Sequence, residues 1–121
     1  MAHGSSSKDW SDAFVDMTAQ VREAFDNAEL AFMELSEPSL QESCASAKRD
    51  GYDHVQVLPL FLATGRHLKK DVPAMIAQYE KDLGLTIELL PPIGRHPAIA
   101  KAMHEAACDY LEPTSDARVA E

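Results

Sequence analysis

Pro59-Leu60-Phe61-Leu62-Ala63-Thr64-Gly65-Arg66-His67-Leu68-Lys69-Lys70-Asp71 joins two runs of different periodicity. Ahead of it, His54-Val55-Gln56-Val57-Leu58 is an apolar run of strand length. Behind it, Val72, Met75, Ile76, Tyr79 and Leu83 share one helical face, which predicts a helix over 72–83 ended by Gly84. A strand-to-helix loop in an open α/β fold lies at the carboxyl end of the sheet, where such folds bind ligands. Between Gly65 and Lys70 this loop carries one imidazole, His67, and three cations, Arg66, Lys69 and Lys70. An imidazole can ligate a metal or move a proton near neutral pH. The cations can hold an anionic substrate, or they form a solvated patch.

The same alternation extends in both directions. Towards the N-terminus, Trp10, Phe14, Met17, Val21 and Phe25 mark one face of a first helix. Leu30-Ala31-Phe32-Met33-Glu34-Leu35 reads as a strand covered on both faces, with Glu34 at its carboxyl end. Ser39-Leu40-Gln41-Glu42 is a capping box, and Lys48-Arg49-Asp50-Gly51 is a helix stop. Towards the C-terminus, Thr86-Ile87-Glu88-Leu89-Leu90 reads as an edge strand. A proline-rich loop follows, and Pro97 opens a helix whose face is Ile99, Met103, Ala107 and Tyr110. Strands alternating with helices predict an α/β fold with a parallel sheet flanked by helices. Residues 1–112 form one domain in this reading, and 113–121 a flexible polar tail.

At 121 residues the chain suffices for one core. Its net charge of −9 argues against nucleic acid and against an anionic membrane as partners. Its two cysteines, Cys44 and Cys108, lie in separate helical patterns without a C-x-x-C pair, which argues against a cysteine-bound zinc. With no signal pattern and no apolar run of spanning length, a cytoplasmic protein is expected.

Of five histidines, His3 and His67 fall just past the carboxyl ends of inferred strands, and Glu34 occupies the same place on the strand between. The spacings of 31 and 33 residues are one strand–helix unit each, so the three can converge at one rim of a parallel sheet. Two imidazoles and a carboxylate suit a divalent first-row metal such as Co²⁺, Fe²⁺ or Ni²⁺, and equally suit proton removal near neutrality. His54 starts a strand and belongs at the opposite rim, His104 is exposed on a helix, and His96 either caps the last helix or borders the site. His3-Gly4-Ser5-Ser6-Ser7 has the form of an anion cradle but carries one glycine and no Walker lysine, so a nucleotide is weakly supported.

Several stretches together resemble the small, single-domain sirohydrochlorin cobaltochelatases of the class II chelatase superfamily. They are His3-Gly4-Ser5, Phe32 to Ser39, Leu58 to Leu62 with Gly65-Arg66-His67, Asp71-Val72-Pro73, and Pro91 to Gly94 with His96-Pro97. The resemblance covers residues 1 to about 111 and implies insertion of a divalent metal, Co²⁺, into sirohydrochlorin or a related tetrapyrrole on the route to cobalamin. It implies a strand order of 2-1-3-4, a homodimer, the metal as substrate and no tightly bound cofactor. Carried over, the two metal-site histidines fall on His3 and His67, and the acidic partner on Glu34. Ser6-Ser7 departs from the Arg-Asp pair that many relatives carry after His-Gly-Ser.

Sirohydrochlorin carries eight carboxylates, so Arg66, Lys69, Lys70 and Ser5 are candidate contacts for an anionic substrate, and Leu60, Phe61 and Leu62 for the macrocycle face. A siroheme-type iron chelatase, a non-catalytic metal or tetrapyrrole carrier, and a truncated paralogue remain alternatives. The last arises because Met1-Ala2 is all that precedes His3. A central first strand this short predicts three well-formed strands, residues 1–3 short or unpaired beside a gap, and His3 on a frayed end, as if the true start lay upstream.

Overall fold

The computed structural model describes residues 1–111. Two regular strands form, β1 (His54–Val57) and β2 (Thr86–Leu89), paired in parallel with His54 opposite Thr86 and Val57 opposite Leu89. Met1 lies on the other side of the β1 segment. Its amine donates to the Leu58 carbonyl at 2.8 Å, and Leu60 N–H donates to the Met1 carbonyl at 2.7 Å. Ala2 in turn bridges Phe32 in parallel, through Ala2 N–H to the Ala31 carbonyl (2.9 Å) and Met33 N–H to the Ala2 carbonyl (2.8 Å). From one side to the other the rows are therefore Phe32, Met1–Ala2, β1 and β2, which is the expected order 2-1-3-4.

Two expectations need correction. Residues 1–2 are short but paired on both sides, with Met1 and Ala2 both buried. Among the described residues the number of regular strands is two, not three, because the segment at 30–35 contributes one bridge residue before turning away. Phe32 spends its own N–H on the Pro38 carbonyl (2.9 Å), and its carbonyl accepts from Leu40 N–H (2.9 Å), so the chain at 38–40 folds back alongside it. Strand propensity at 30–35 is overridden by this local turn, for strand formation depends on partners that a single segment does not reveal.

Burial desolvates the Met1 amine and lowers its pKa from 8.0 to about 6. A base whose folded pKa lies below its unfolded value binds fewer protons when folded. Its contribution to stability is therefore present above pH 8 and lost as pH falls to about 6. For the 121-residue chain, denaturant titrations should give about 2–3 kcal/mol less stability at the acid end of that window. A variant with an amide in place of the free amine should lose this dependence. If both chains respond identically to pH, the assignment of the effect to Met1 is wrong.

The helices pack unevenly. α1 (Lys8–Met17) and α2 (Ala19–Ala24) replace the single predicted helix. They break at Thr18, whose hydroxyl donates to the Phe14 carbonyl at 2.7 Å, a back-bond that bends helices. Phe14 packs edge-on against the buried Phe32, but Trp10, Met17, Val21 and Phe25 stay exposed, because the rows beside them are too short to cover the apolar face. α3 (Leu40–Arg49) begins where its capping box requires, with Ser39 Oγ accepting from Glu42 N–H at 3.1 Å, and it buries Leu40 and Cys44. Burial, and secondarily Glu29, push the Cys44 thiol up, so it stays protonated in the core.

α4 spans Arg66–Leu83 and starts six residues before the predicted Val72. Its first turn carries cations rather than an apolar stripe, and Pro73 reads locally as a breaker. Here Pro73 is tolerated inside the helix on its exposed side, where water can satisfy the freed Lys69 carbonyl. Val72 and Ile76 face the core with Val57, Phe61, Leu85 and Ile87. After β2, a short 3₁₀ turn (Ile93–Arg95) leads to α5 (Pro97–Tyr110), capped by His96 Nδ1 accepting from Ala98 N–H at 3.1 Å. The choice left open for His96 thus falls to the cap. The predicted tail at 113–121 lies outside the described residues. Among those described, no helix is long and apolar enough to cross a membrane.

Candidate active site

His3 follows directly from the paired Ala2, so the pairing that buries Ala2 also aims the imidazole. Its Nδ1 lies 3.1 Å from Glu34 Oε1, bridging 31 residues of sequence. The imidazole stacks on Phe61, with centroids 4.4 Å apart and planes at 27°. Its carbonyl accepts from Trp10 Nε1–H at 2.8 Å. With the ring held from below by Phe61 and from the side by Glu34, a neutral imidazole donates from Nδ1 and leaves the Nε2 lone pair available. A carboxylate behind an imidazole orients ligating histidines in this way.

Glu34 is held by its backbone. Ser36 N–H donates to the Glu34 carbonyl at 2.8 Å across Leu35, which has φ of 63° and is 76% exposed. A non-glycine residue in the left-handed region costs free energy on the order of 1–3 kcal/mol, and such residues cluster at functional sites. Gly4 passes so close that an added Cβ would sit on the Glu34 carbonyl oxygen. Ser36 Oγ closes the arrangement. It accepts from Ser5 N–H (2.9 Å) and Ser11 Oγ–H (3.2 Å), and donates to the Ser5 carbonyl (2.9 Å). Glu34 Oε2 is buried and accepts no hydrogen bond from the described residues. An unpaired buried carboxylate oxygen carries an unmet demand for a proton or a cation.

The structure thus brings together His3 and Glu34 but does not add His67. His67 sits exposed in the first turn of α4, with no hydrogen bond or ion pair to either. Among the described residues no group of three His, Cys, Asp or Glu side chains is close enough to hold a metal. Arg66, Lys69 and Lys70 share that first stretch of α4 and are exposed. Cations there oppose the helix dipole, so an anion at this end would relieve an unfavourable arrangement.

Phe61 needs correction as a macrocycle contact. It is 5% exposed and belongs to the core beneath His3, because the sheet end requires an apolar plug. Leu62 next to it is 63% exposed, and Leu60 is half-buried. The loop bearing them is tied to the segment after β2 by Ile93 N–H to the Pro59 carbonyl (2.9 Å) and Gly94 N–H to the Phe61 carbonyl (3.0 Å). Ser5 is half-buried, and its hydroxyl accepts from Ser7 N–H at 3.1 Å. Sequence reasoning missed the positioning roles of Gly4, Trp10 and Ser36. Each acts across 7 to 31 residues, through hydrogen bonds or a close approach that leaves no local pattern.

Comparison with known proteins adds an independent finding. The CbiX family model matches residues 1–110. The sirohydrochlorin cobaltochelatase of Sulfurisphaera tokodaii is 33% identical over 113 residues, covering 93% of this chain and 92% of that protein. A crystal structure described as a cobalamin (vitamin B12) biosynthesis CbiX protein from Marinobacter aquaeolei VT8 superposes with a TM-score of 0.89 at 45% identity, covering 92% of each chain. SirB from Bacillus subtilis with Fe3+ superposes with a TM-score of 0.80 at 27% identity, and this chain spans 97% of its own length but 48% of SirB.

Proposed function

The chain belongs to the CbiX family, and on that premise we propose that it is a chelatase that inserts Co²⁺ into sirohydrochlorin or a closely related anionic tetrapyrrole. The observation that carries this reading is the His3–Glu34 pair, with Nδ1 committed to the carboxylate and Nε2 left for a metal. Insertion needs a metal held loosely enough to be passed on. His3 Nε2 would hold the ion by a single protein bond, with Glu34 steadying the ring from behind, and the macrocycle nitrogens can replace the water ligands stepwise. A closed set of protein ligands would retain it.

Two pyrrole protons must leave as four metal–nitrogen bonds form, two of them at the nitrogens that carried those protons. Glu34 Oε2 is a proton acceptor without a competing donor, and His67 is a second acceptor on the cationic stretch of α4. Arg66, Lys69 and Lys70 would hold the substrate's carboxylates, and Leu62 would lie against the ring. Replacing Lys69 and Lys70 by Gln should raise KM more than it lowers kcat, and added salt should weaken the wild-type affinity. A KM unchanged by both the substitutions and the salt would return these lysines to a solvated surface.

The open rim supports a homodimer whose two copies cover the macrocycle together. α1 and α2 bury none of their side chains, and this chain spans about half of SirB. Light scattering at micromolar concentration should give twice the chain mass. A fully active monomer would contradict the dimer.

A second reading, iron insertion for siroheme, is favoured by likeness to SirB, which is described both with Fe3+ and in complex with cobalt. An imidazole nitrogen accepts both metals. Absorbance-monitored insertion into sirohydrochlorin with Co²⁺, Fe²⁺ and Ni²⁺ in turn decides between them. The expected result is fastest turnover with Co²⁺, and turnover with none of the three overturns the proposal.

A further inference from the structure

Away from the His3–Glu34 pair, α5 carries a second pair of metal-capable side chains. His104 and Cys108 are four residues apart, so they lie one above the other on one helix face. Cys108 Sγ and His104 Nε2 are 3.6 Å apart. Both residues are exposed, and neither supports the core. Donor–metal lengths of about 2.3 Å to sulfur and about 2.0–2.1 Å to imidazole nitrogen, opened to a tetrahedral angle, place two donors about 3.6 Å apart. The observed separation therefore matches the bite of a tetrahedral ion of that size without rearrangement of the helix. Glu105 and Asp109 follow each donor by one residue and add negative charge beside the pair.

We infer that His104 and Cys108 form a two-donor surface site for a late first-row divalent cation of the Co²⁺ or Zn²⁺ class, with water completing the coordination. On binding, the Cys108 S–H bond breaks, the proton goes to solvent, and sulfur's electron pair forms the metal–sulfur bond. His104 contributes the lone pair of its neutral Nε2. The site is independent of the chelatase reading, since it shares no residue with the His3–Glu34 pair. It would give the protein a place to collect the kind of ion that such an enzyme consumes.

The test is a titration of the full chain with Co²⁺ alone, without tetrapyrrole, with thiols kept reduced. Thiolate-bound cobalt gives a near-ultraviolet sulfur-to-metal charge-transfer band that an imidazole–carboxylate site lacks. Cys44 is buried and its thiol held protonated, so it does not supply that band. We expect the band to saturate at one ion per chain, to vanish in Cys108→Ser, and to persist in His3→Ala. In His104→Gln it should require at least about tenfold more cobalt, the least loss expected when a direct ligand is removed. Both variants should keep the wild-type circular dichroism, since both positions are on the surface. No band in the wild type, a band that survives Cys108→Ser, or an unchanged midpoint in His104→Gln would each overturn the inference. Loss of sirohydrochlorin turnover with the band intact would instead count against the chelatase reading alone.

Discussion

His3→Ala is expected to lower cobalt insertion by at least about a hundredfold, the range in which a positioned acid–base or ligating group contributes. The substitution removes the one imidazole nitrogen that the site leaves unpaired and oriented. It also leaves Glu34 with no partner on either oxygen, because His3 is the only described group bonded to its carboxylate. The fold should persist. The Phe61–His3 stack contributes about 0.5–1.5 kcal/mol, and Ala2 keeps its bridge to Phe32 through backbone groups alone. His67→Ala should reduce insertion less, since His67 makes no hydrogen bond or ion pair with His3 or Glu34. An equal or larger loss in His67→Ala would move the centre of the chemistry onto α4.

The second large effect is expected at a residue with no side chain. Gly4→Ala would place a methyl group on the Glu34 carbonyl oxygen and close to Ser36 N–H, both backbone groups that cannot swing aside. The Glu34–Ser36 turn must then shift, and Glu34 with it. Overpacking of this kind costs about 1–3 kcal/mol. Displacing a reacting group by about 1 Å costs about a hundredfold in rate. Gly4→Ala should therefore lower both the melting temperature and kcat, with a smaller change in KM if the cationic stretch of α4 binds substrate separately. A variant with wild-type kcat would show that the close passage of Gly4 is incidental to the site.

The parts of the fold legible in the sequence are those set by local chemistry. Ser39 and Glu42 announced the start of α3, the short runs of strand length around Val55 and Ile87 placed β1 and β2, and Pro97 marked the start of α5. The parts that misled depend on distant partners. Leu30–Leu35 has the composition of a strand, yet only Phe32 pairs, because the backbone turns at Leu35 to bring Glu34 under Gly4. Arg66–Lys70 carries no apolar stripe and precedes a proline, so nothing local showed that the helix already includes it. Met1–Ala2 looked too short to be a strand. It pairs because both neighbouring rows offer backbone partners, and those rows are invisible from the N-terminal residues.

For the candidate site, the spacing of one strand–helix unit was enough to bring His3 to Glu34. The same spacing did not bring His67 into a bond with the pair, and His67 lies exposed in the first turn of α4. The role of Phe61 under the imidazole rests on burial, which a loop sequence of consecutive apolar residues does not reveal.

The most direct measurement is crystallographic: crystals soaked in Co²⁺, with anomalous scattering collected on either side of the cobalt edge. A cobalt peak is expected within bonding distance of His3 Nε2, on the side of the ring away from the Nδ1–Glu34 bond, and should disappear in His3→Ala. Cobalt bound elsewhere, with His3 Nε2 free at concentrations that saturate turnover, would contradict the assignment of the His3–Glu34 pair as the metal-handling centre.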